Sequence, residues 1–188
     1  MSMARIPDRR VQRTRAALMS AFIELVLTRG YEVLTAEDIS RKANVGRSTF
    51  YLHYASKAAL LAESMRNVSS QLAACIDGNR TPQQLVPLLD HFREQRTVNR
   101  TFFVDPIRSI WIKSLAALIE PRLAARTGGS RSDLPRSLVA LVIAEMQIAL
   151  VTHWLTGKPS LKVELVATVL LANTDAMLSA SSRIDRTK

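Results

Sequence analysis

Six glycines and seven prolines are all that punctuate a chain of 188 residues, and the intervals between them carry apolar residues at helical spacing. A strand-rich fold would need a turn every roughly 8 to 12 residues. Long intervals with a period near 3.6 read instead as an all-α chain. The first interval sets Leu18, Ala21, Phe22 and Leu25 at i, i+3, i+4 and i+7 and stops at Arg29-Gly30, where glycine suits the C-cap. This predicts a helix from about Asp8 to Arg29. Thr35-Ala-Glu-Asp38 resembles a capping box with aspartate in place of glutamate, opening a short helix whose inner face is Ala36, Ile39 and Ala43. Asn44-Val45-Gly46 ends it, because asparagine and glycine most readily take a left-handed backbone. A third short helix then begins at Arg47, and two short helices joined by such a turn form a helix-turn-helix.

Ser56 caps a fourth helix, with Leu61, Met65, Val68 and Leu72 on one face, predicted to run unbroken to Asp77-Gly78. Thr81-Pro82 and Asp105-Pro106 start two more. After a loop at Thr127 to Ser132, the last two helices cover about Leu134 to Thr156 and Ser160 to Ala180. Both are apolar around most of their circumference, which implies burial on more than one side. Glu145, Gln147 and His153 interrupt the longest apolar run, so a membrane span is set aside. No signal peptide is visible, and the cytoplasm is the expected location. The single cysteine, Cys75, can make neither an internal disulfide nor a multi-thiolate site, so no metal and no cofactor is expected. Nucleophile-elbow, phosphate-loop and zinc-protease spacings are missing, and the chain does not read as an enzyme.

Charge narrows the partner. The 26 Lys and Arg against 16 Asp and Glu leave a net charge of +10, which favours a polyanion. From Ile39 to Ala62 there is no carboxylate, while Arg41, Lys42, Arg47 and Lys57 stand among Ser48, Thr49, Tyr51 and His53. A short basic helix rich in hydroxyls suits a major groove, since phosphates repel carboxylates and base edges need donors and acceptors. Phe50 and Tyr54, four residues apart, can face the core while the rest of the third helix faces outward. Arg47 then reaches guanine, Ser48 and Thr49 reach bases or phosphate, and Leu52 meets a thymine methyl. Tyr51, His53 and Lys57 are expected on phosphates.

The stretch TAEDISRKANVGRSTFYLHYASKAALL, Thr35 to Leu61, resembles the DNA-binding signature of the tetracycline-repressor (TetR) family of bacterial transcriptional regulators. Thr35 opens the second helix as in that family, and Phe50, Tyr51, Leu52, His53, Tyr54, Lys57 and Leu60 or Leu61 fill the aromatic, lysine and leucine places that follow. The detailed match covers about Val11 to Leu61. Asn44 replaces a common glycine and Gly46 a common serine. The second change removes a capping hydroxyl and predicts a looser start to the third helix.

The resemblance implies a helix-turn-helix domain over residues 1-57, with Thr35 among its DNA-contacting residues. It also implies a helical effector-binding and dimerisation domain over 58-188. It further implies a homodimer joined through the last two helices, double-stranded DNA with a palindromic operator as partner, and a repressor released by a small-molecule effector. The stripes Leu138, Leu141, Val142, Glu145, Ile148, Ala149, Thr152 and Val166, Val169, Leu170, Asn173, Met177 are the expected dimer faces. His91, Phe92, Phe103, Trp111 and Met146, with Phe102, His153 and Trp154, are the candidates for an effector pocket. Two rival readings are a helical interaction protein with a vestigial motif and a ligand-independent architectural DNA-binding protein, which would show little sequence preference.

Overall fold

The computed structural model describes residues 9–94, 100–126, 134–157 and 161–184. Among the described residues the regular structure is helical throughout, with no strand. In chain order the α-helices are α1 (Arg9–Arg29), α2 (Ala36–Lys42), α3 (Arg47–His53), α4 (Lys57–Ser64), α5 (Arg66–Ala73), α6 (Pro82–Glu94), α7 (Ile107–Arg126), α8 (Arg136–Thr156) and α9 (Val163–Ile184). Short 3-10 turns cover Ala74–Asp77 and Arg100–Phe103. The expected loops at 127–132 and around 158–160 lie outside the described residues, as does Asp8.

The chain divides into two compact units, Met1–Ser64 and Met65–Lys188. In the first, α1 buries Leu18, Ala21, Phe22, Leu25 and Val26. It ends where Gly30, at φ 81°, donates its amide to the Val26 carbonyl at 3.0 Å. α2 packs between α1 and α3, and α4 closes against α1. Phe22, Ile39, Phe50, Leu60 and Leu61 are fully buried, each contributing at most about 1.5–3 kcal/mol of transfer free energy. In the second unit α7 lies along α8, α9 packs on α6 and α8, and α5 packs on α7. Leu72, Ile76, Leu85, Leu89, Trp111, Leu115, Ile143 and Ile148 fill its interior.

Two elements depart from the sequence reading. The fourth helix is not continuous: α4 stops at Ser64, α5 resumes at Arg66, and a 3-10 turn carries the chain to Asp77. The Ser64 hydroxyl donates to the Leu61 carbonyl at 2.7 Å, competing for the acceptor that the Met65 amide would use in an unbroken helix. This break marks the division between the units, which falls after Ser64 rather than after residue 57, since Leu60 and Leu61 on α4 are wholly buried and α4 packs on α1. On α9, Val166 and Leu170 are buried in their own unit, so its outward apolar face runs instead through Leu165, Ala172 and Ala176. On α8, Leu138, Leu141 and Val142 are exposed as expected, whereas Ile148 is buried.

Candidate nucleic-acid interface

The α2–α3 pair is fixed by local chemistry at each end. At its start the Thr35 hydroxyl accepts the Asp38 amide at 3.1 Å and donates to the Asp38 carboxylate at 2.6 Å, while the Thr35 amide donates to the same carboxylate at 3.0 Å. This completes a capping box. Arg41 and Arg29 add donors to Asp38 at 2.7 and 3.4 Å. The Thr35 hydrogen bonds, with the Arg29 charge beyond them, hold the Asp38 carboxyl down at about 2. Between the helices Asn44 takes the left-handed backbone at φ 54°, and the Val45 amide donates to the Ser40 carbonyl at 3.0 Å. Gly46 stays extended at φ −68° and caps α3 without any side-chain bond, as the missing hydroxyl predicts.

On α3 the inward and outward faces separate cleanly. Phe50 is 0% exposed, its ring 5.3 Å from that of Tyr51 and 6.0 Å from that of the buried Tyr54. Outward stand Arg47, Ser48, Tyr51 and Leu52, the last 82% exposed. Thr49 and His53 are half-buried. The Arg47 guanidinium lies 5.9 Å from the Tyr51 ring centroid, a cation–π contact between two exposed side chains. An apolar side chain as exposed as Leu52, beside an arginine and a serine on a helix without carboxylates, makes a surface able to meet both phosphates and base edges.

Two residues expected on DNA are otherwise engaged. The Thr35 hydroxyl is spent as donor and acceptor in the capping box. Lys57 has its ammonium turned to the carbonyls of Tyr31, Glu32 and Leu34, at 2.7, 3.2 and 2.8 Å, and 4.2 Å from the Tyr31 ring centroid. An ammonium has three protons, and all three are donated within the protein. The sequence pattern marks a lysine at the start of α4 but gives no sign that the turn at residues 31–34 lies within its reach.

In the second unit the expected pocket residues part company. Phe92, Phe103 and Trp111 are buried and touch, with ring centroids 5.1 to 6.2 Å apart. Phe102 is buried, Met146 is half-buried, and His91 and His153 are exposed. Trp154 donates its indole N–H to the Leu161 carbonyl at 3.2 Å, tying the approach to α9 back onto α8. Sequence reasoning missed the buried polar groups of this unit. Trp111 donates to the Ser69 hydroxyl at 2.9 Å. Gln147, 0% exposed, donates to the Leu72 carbonyl at 3.3 Å and the Thr174 hydroxyl at 3.2 Å. Thr174 gives its own proton to the Leu170 carbonyl at 2.8 Å. The Gln147 Oε1 has no partner among the described residues, and turning the amide over would set that oxygen against the Leu72 carbonyl. A glutamine inside an apolar helix was the signal that could have found this. Two open clefts of about 390 and 410 Å³ flank Asp77, beside Arg80 and beside Arg122 and Arg126, and neither includes the expected pocket residues.

A buried-aromatic helix with a basic, hydroxyl-bearing outer face, following a capped partner helix, forms a helix-turn-helix motif. Residues 18–64 match the family model for bacterial regulatory proteins of the tetR family. That match takes in the helix-turn-helix unit, which is thus similar to the DNA-binding part of TetR-family transcriptional regulators. The chain is 42% identical over 66 residues to YxbF of Bacillus subtilis (strain 168), an uncharacterized HTH-type transcriptional regulator. That match takes in 35% of this chain and spans 17% of YxbF. A TetR transcriptional regulator from Streptococcus agalactiae has a similar structure, with a TM-score of 0.57 and 28% identity, covering 89% of this chain and 96% of that one. NalD, the secondary repressor of the MexAB-OprM multidrug efflux pump in Pseudomonas aeruginosa, shares the fold at a TM-score of 0.53 and 19% identity, covering 90% and 97%.

Proposed function

We propose that this chain is a sequence-specific DNA-binding transcriptional regulator, a homodimeric repressor that leaves a palindromic operator when a small molecule binds its second unit. The outward face of α3 carries the reading: Arg47, Ser48, Tyr51 and Leu52 are exposed, while Phe50 and Tyr54 lock the opposite face into the core. Arg47 and Leu52 are the base readers, with Ser48 and Thr49 on bases or phosphate and Tyr51 and His53 on phosphates. Dimerisation is supported by the exposed apolar residues on two adjacent helices, Leu138, Leu141 and Val142 on α8 and Leu165 on α9. A two-fold pair would read half-sites about one helical turn, roughly 34–36 Å, apart. By length and composition alone α8 and α9 could cross a membrane. The fully buried Gln147 of α8 and Thr174 of α9 bond one another inside a globular unit, which supports a cytoplasmic protein.

For the effector, the support is the uncharged interior of the second unit. Its described buried polar groups are Ser69, bonded to Trp111 of the Phe92–Phe103–Trp111 ring cluster, and the Gln147–Thr174 pair. An aromatic wall with one unpaired acceptor fits a largely apolar ligand that brings a hydrogen-bond donor. The ligand would act by preferring a dimer unable to span the operator, with a coupling of about 1–3 kcal/mol. Selection of sites from random duplex DNA, followed by fluorescence anisotropy against the selected palindrome and a scrambled copy, tests the central reading. Tighter binding to the palindrome is expected, and equal binding to both would reject sequence-specific regulation.

A further inference from the structure

We propose that Lys57 is a positioning residue for DNA recognition, a clamp that closes the α1–α2 turn onto the start of α4 and makes no phosphate contact of its own. The proposal rests on the DNA-binding reading above.

The geometry is specific. The turn from Tyr31 to Leu34 is held within itself by one weak bond, Leu34 amide to Tyr31 carbonyl at 3.3 Å. Three of its carbonyls converge on the Lys57 ammonium, which also sits over the Tyr31 ring. That ring in turn meets Phe22 of α1 edge-on, with centroids 6.3 Å apart. Lys57 is the first residue of α4, whose start is fixed separately by the Ser56 hydroxyl accepting the Ala59 amide at 3.1 Å. One cation therefore joins α1, the turn and α4 at the point where the chain enters the Thr35 cap of α2. Whatever sets that turn sets where α2 begins, and α3 follows through four residues of linker. The half-buried setting agrees with the role: loss of solvent pulls the Lys57 pKa below its ordinary value, and the neighbouring Glu32 only partly restores it.

A clamp and a phosphate contact predict different salt behaviour. Each phosphate neutralised by a cation contributes about −0.9 to the slope of log K against log salt on duplex DNA. Anisotropy titrations of the full chain with its selected palindrome, across a series of salt concentrations, would compare the parent with Lys57→Met and Lys57→Arg. As a clamp, Lys57→Met should leave the slope unchanged while lowering affinity by a common factor, about tenfold, at every salt concentration. Lys57→Arg keeps the charge, but its planar fork cannot point three protons at three converging carbonyls, so it should fall almost as far. A slope shallower by about one unit in Lys57→Met, with parent-like binding by Lys57→Arg, would show a phosphate contact and overturn the proposal.

Hydrogen exchange supplies a readout that needs no DNA. The Leu34 amide and the first amides of α2 should exchange faster in Lys57→Met, while those of α3 and the second unit keep parent protection. Unchanged exchange at Leu34 would also overturn the clamp. Loss of protection throughout the first unit would mean that Lys57 only supports the fold, and would sink the positioning role equally. If the parent binds no duplex at all, the DNA-binding reading fails, and the exchange experiment still decides whether the clamp exists.

Discussion

Replacing Gln147 by methionine should leave the protein within about 1 kcal/mol of the parent's stability, although it deletes two buried hydrogen bonds. The change keeps an unbranched side chain of similar volume at a position with 0% exposure. Its loss is the pair of bonds from Nε2 to the Leu72 carbonyl and the Thr174 hydroxyl, worth about 1 kcal/mol each in net terms. Thr174 keeps its own bond to Leu170, and the Leu72 carbonyl keeps the Ala74 amide, so neither is stranded. The gain is removal of the unpaired Oε1, whose desolvation costs about 1–3 kcal/mol. The balance lies between about 1 kcal/mol unfavourable and about 1 kcal/mol favourable on the same figures. Gln147→Ala, by contrast, leaves a cavity and should lose about 2 kcal/mol or more. Urea unfolding at one fixed protein concentration, reading midpoint and slope, separates these outcomes. In thermal unfolding each 1 kcal/mol should move Tm by roughly 2–4 °C for a chain of this size. A methionine variant that falls as far as the alanine variant would show that Oε1 is well satisfied, and the argument for a donor-bearing ligand would go with it.

Three other outcomes follow from single residues. Cys75 is buried and its thiol is pushed up to about 12, chiefly by desolvation. A thiol-specific reagent at pH 8 should leave it unmodified in the native protein and label it only on unfolding. Asp38 is held at about 2, below its ordinary 3.8, so its contribution to folding is full above about pH 4 and is lost as pH falls through 2. Asp38→Asn should therefore flatten the acid limb of the first unit's unfolding curve, and an unchanged limb would count against the network around Thr35. Leu141→Glu places a charge on the exposed apolar face of α8 and should convert a dimer into a folded monomer in sedimentation experiments; a dimer that persists would move the interface elsewhere.

What the sequence discloses is what depends on neighbours in the chain. The Thr35–Asp38 box, the Gly30 stop, the left-handed residue in the inter-helix turn and the opposition of Phe50 and Tyr54 to Arg47 and Tyr51 all arise within a few residues, and all stand as read. The misreadings involve partners far along the chain or competition for a single acceptor. Apolar periodicity runs straight through Met65, so nothing in it reveals that the Ser64 hydroxyl takes the Leu61 carbonyl and interrupts the helix. Lys57 meets carbonyls 23 to 26 residues away, a separation that spacing rules do not cover. His91 and Phe92 are adjacent in sequence, yet one is exposed and the other buried among rings, because composition names pocket-forming residue types without saying which way a helix turns them. On α9 the same limit hides which of two apolar stripes is spent on the unit's own core.

The places where local rules are broken also coincide with the proposed reading surface. Leu52 is apolar and exposed, and α3 begins at a residue that supplies no capping atom. Sequences that otherwise agree with their fold depart from it where function makes another demand. If the uncapped start of α3 is such a departure, it can be repaired at little cost to the backbone. Gly46 holds φ −68°, which any residue can adopt, and an added Cβ would lie 3.6 Å from the Thr49 hydroxyl and 3.7 Å from that of Ser48, ordinary contact distances. Gly46→Ser would restore a hydroxyl able to accept an amide of the first turn, worth a few tenths of a kcal/mol over glycine. It would also restrict the unfolded chain, adding about 0.4–1 kcal/mol. The first unit should therefore gain roughly 1 kcal/mol in urea unfolding. Its preference between the selected palindrome and the scrambled duplex should narrow if α3 needs a loose start to seat in the groove. A variant that gains stability and keeps the full preference would show that Gly46 is merely tolerated there, and one that loses stability would refute the assignment of Gly46 as the uncapped N-terminus of α3.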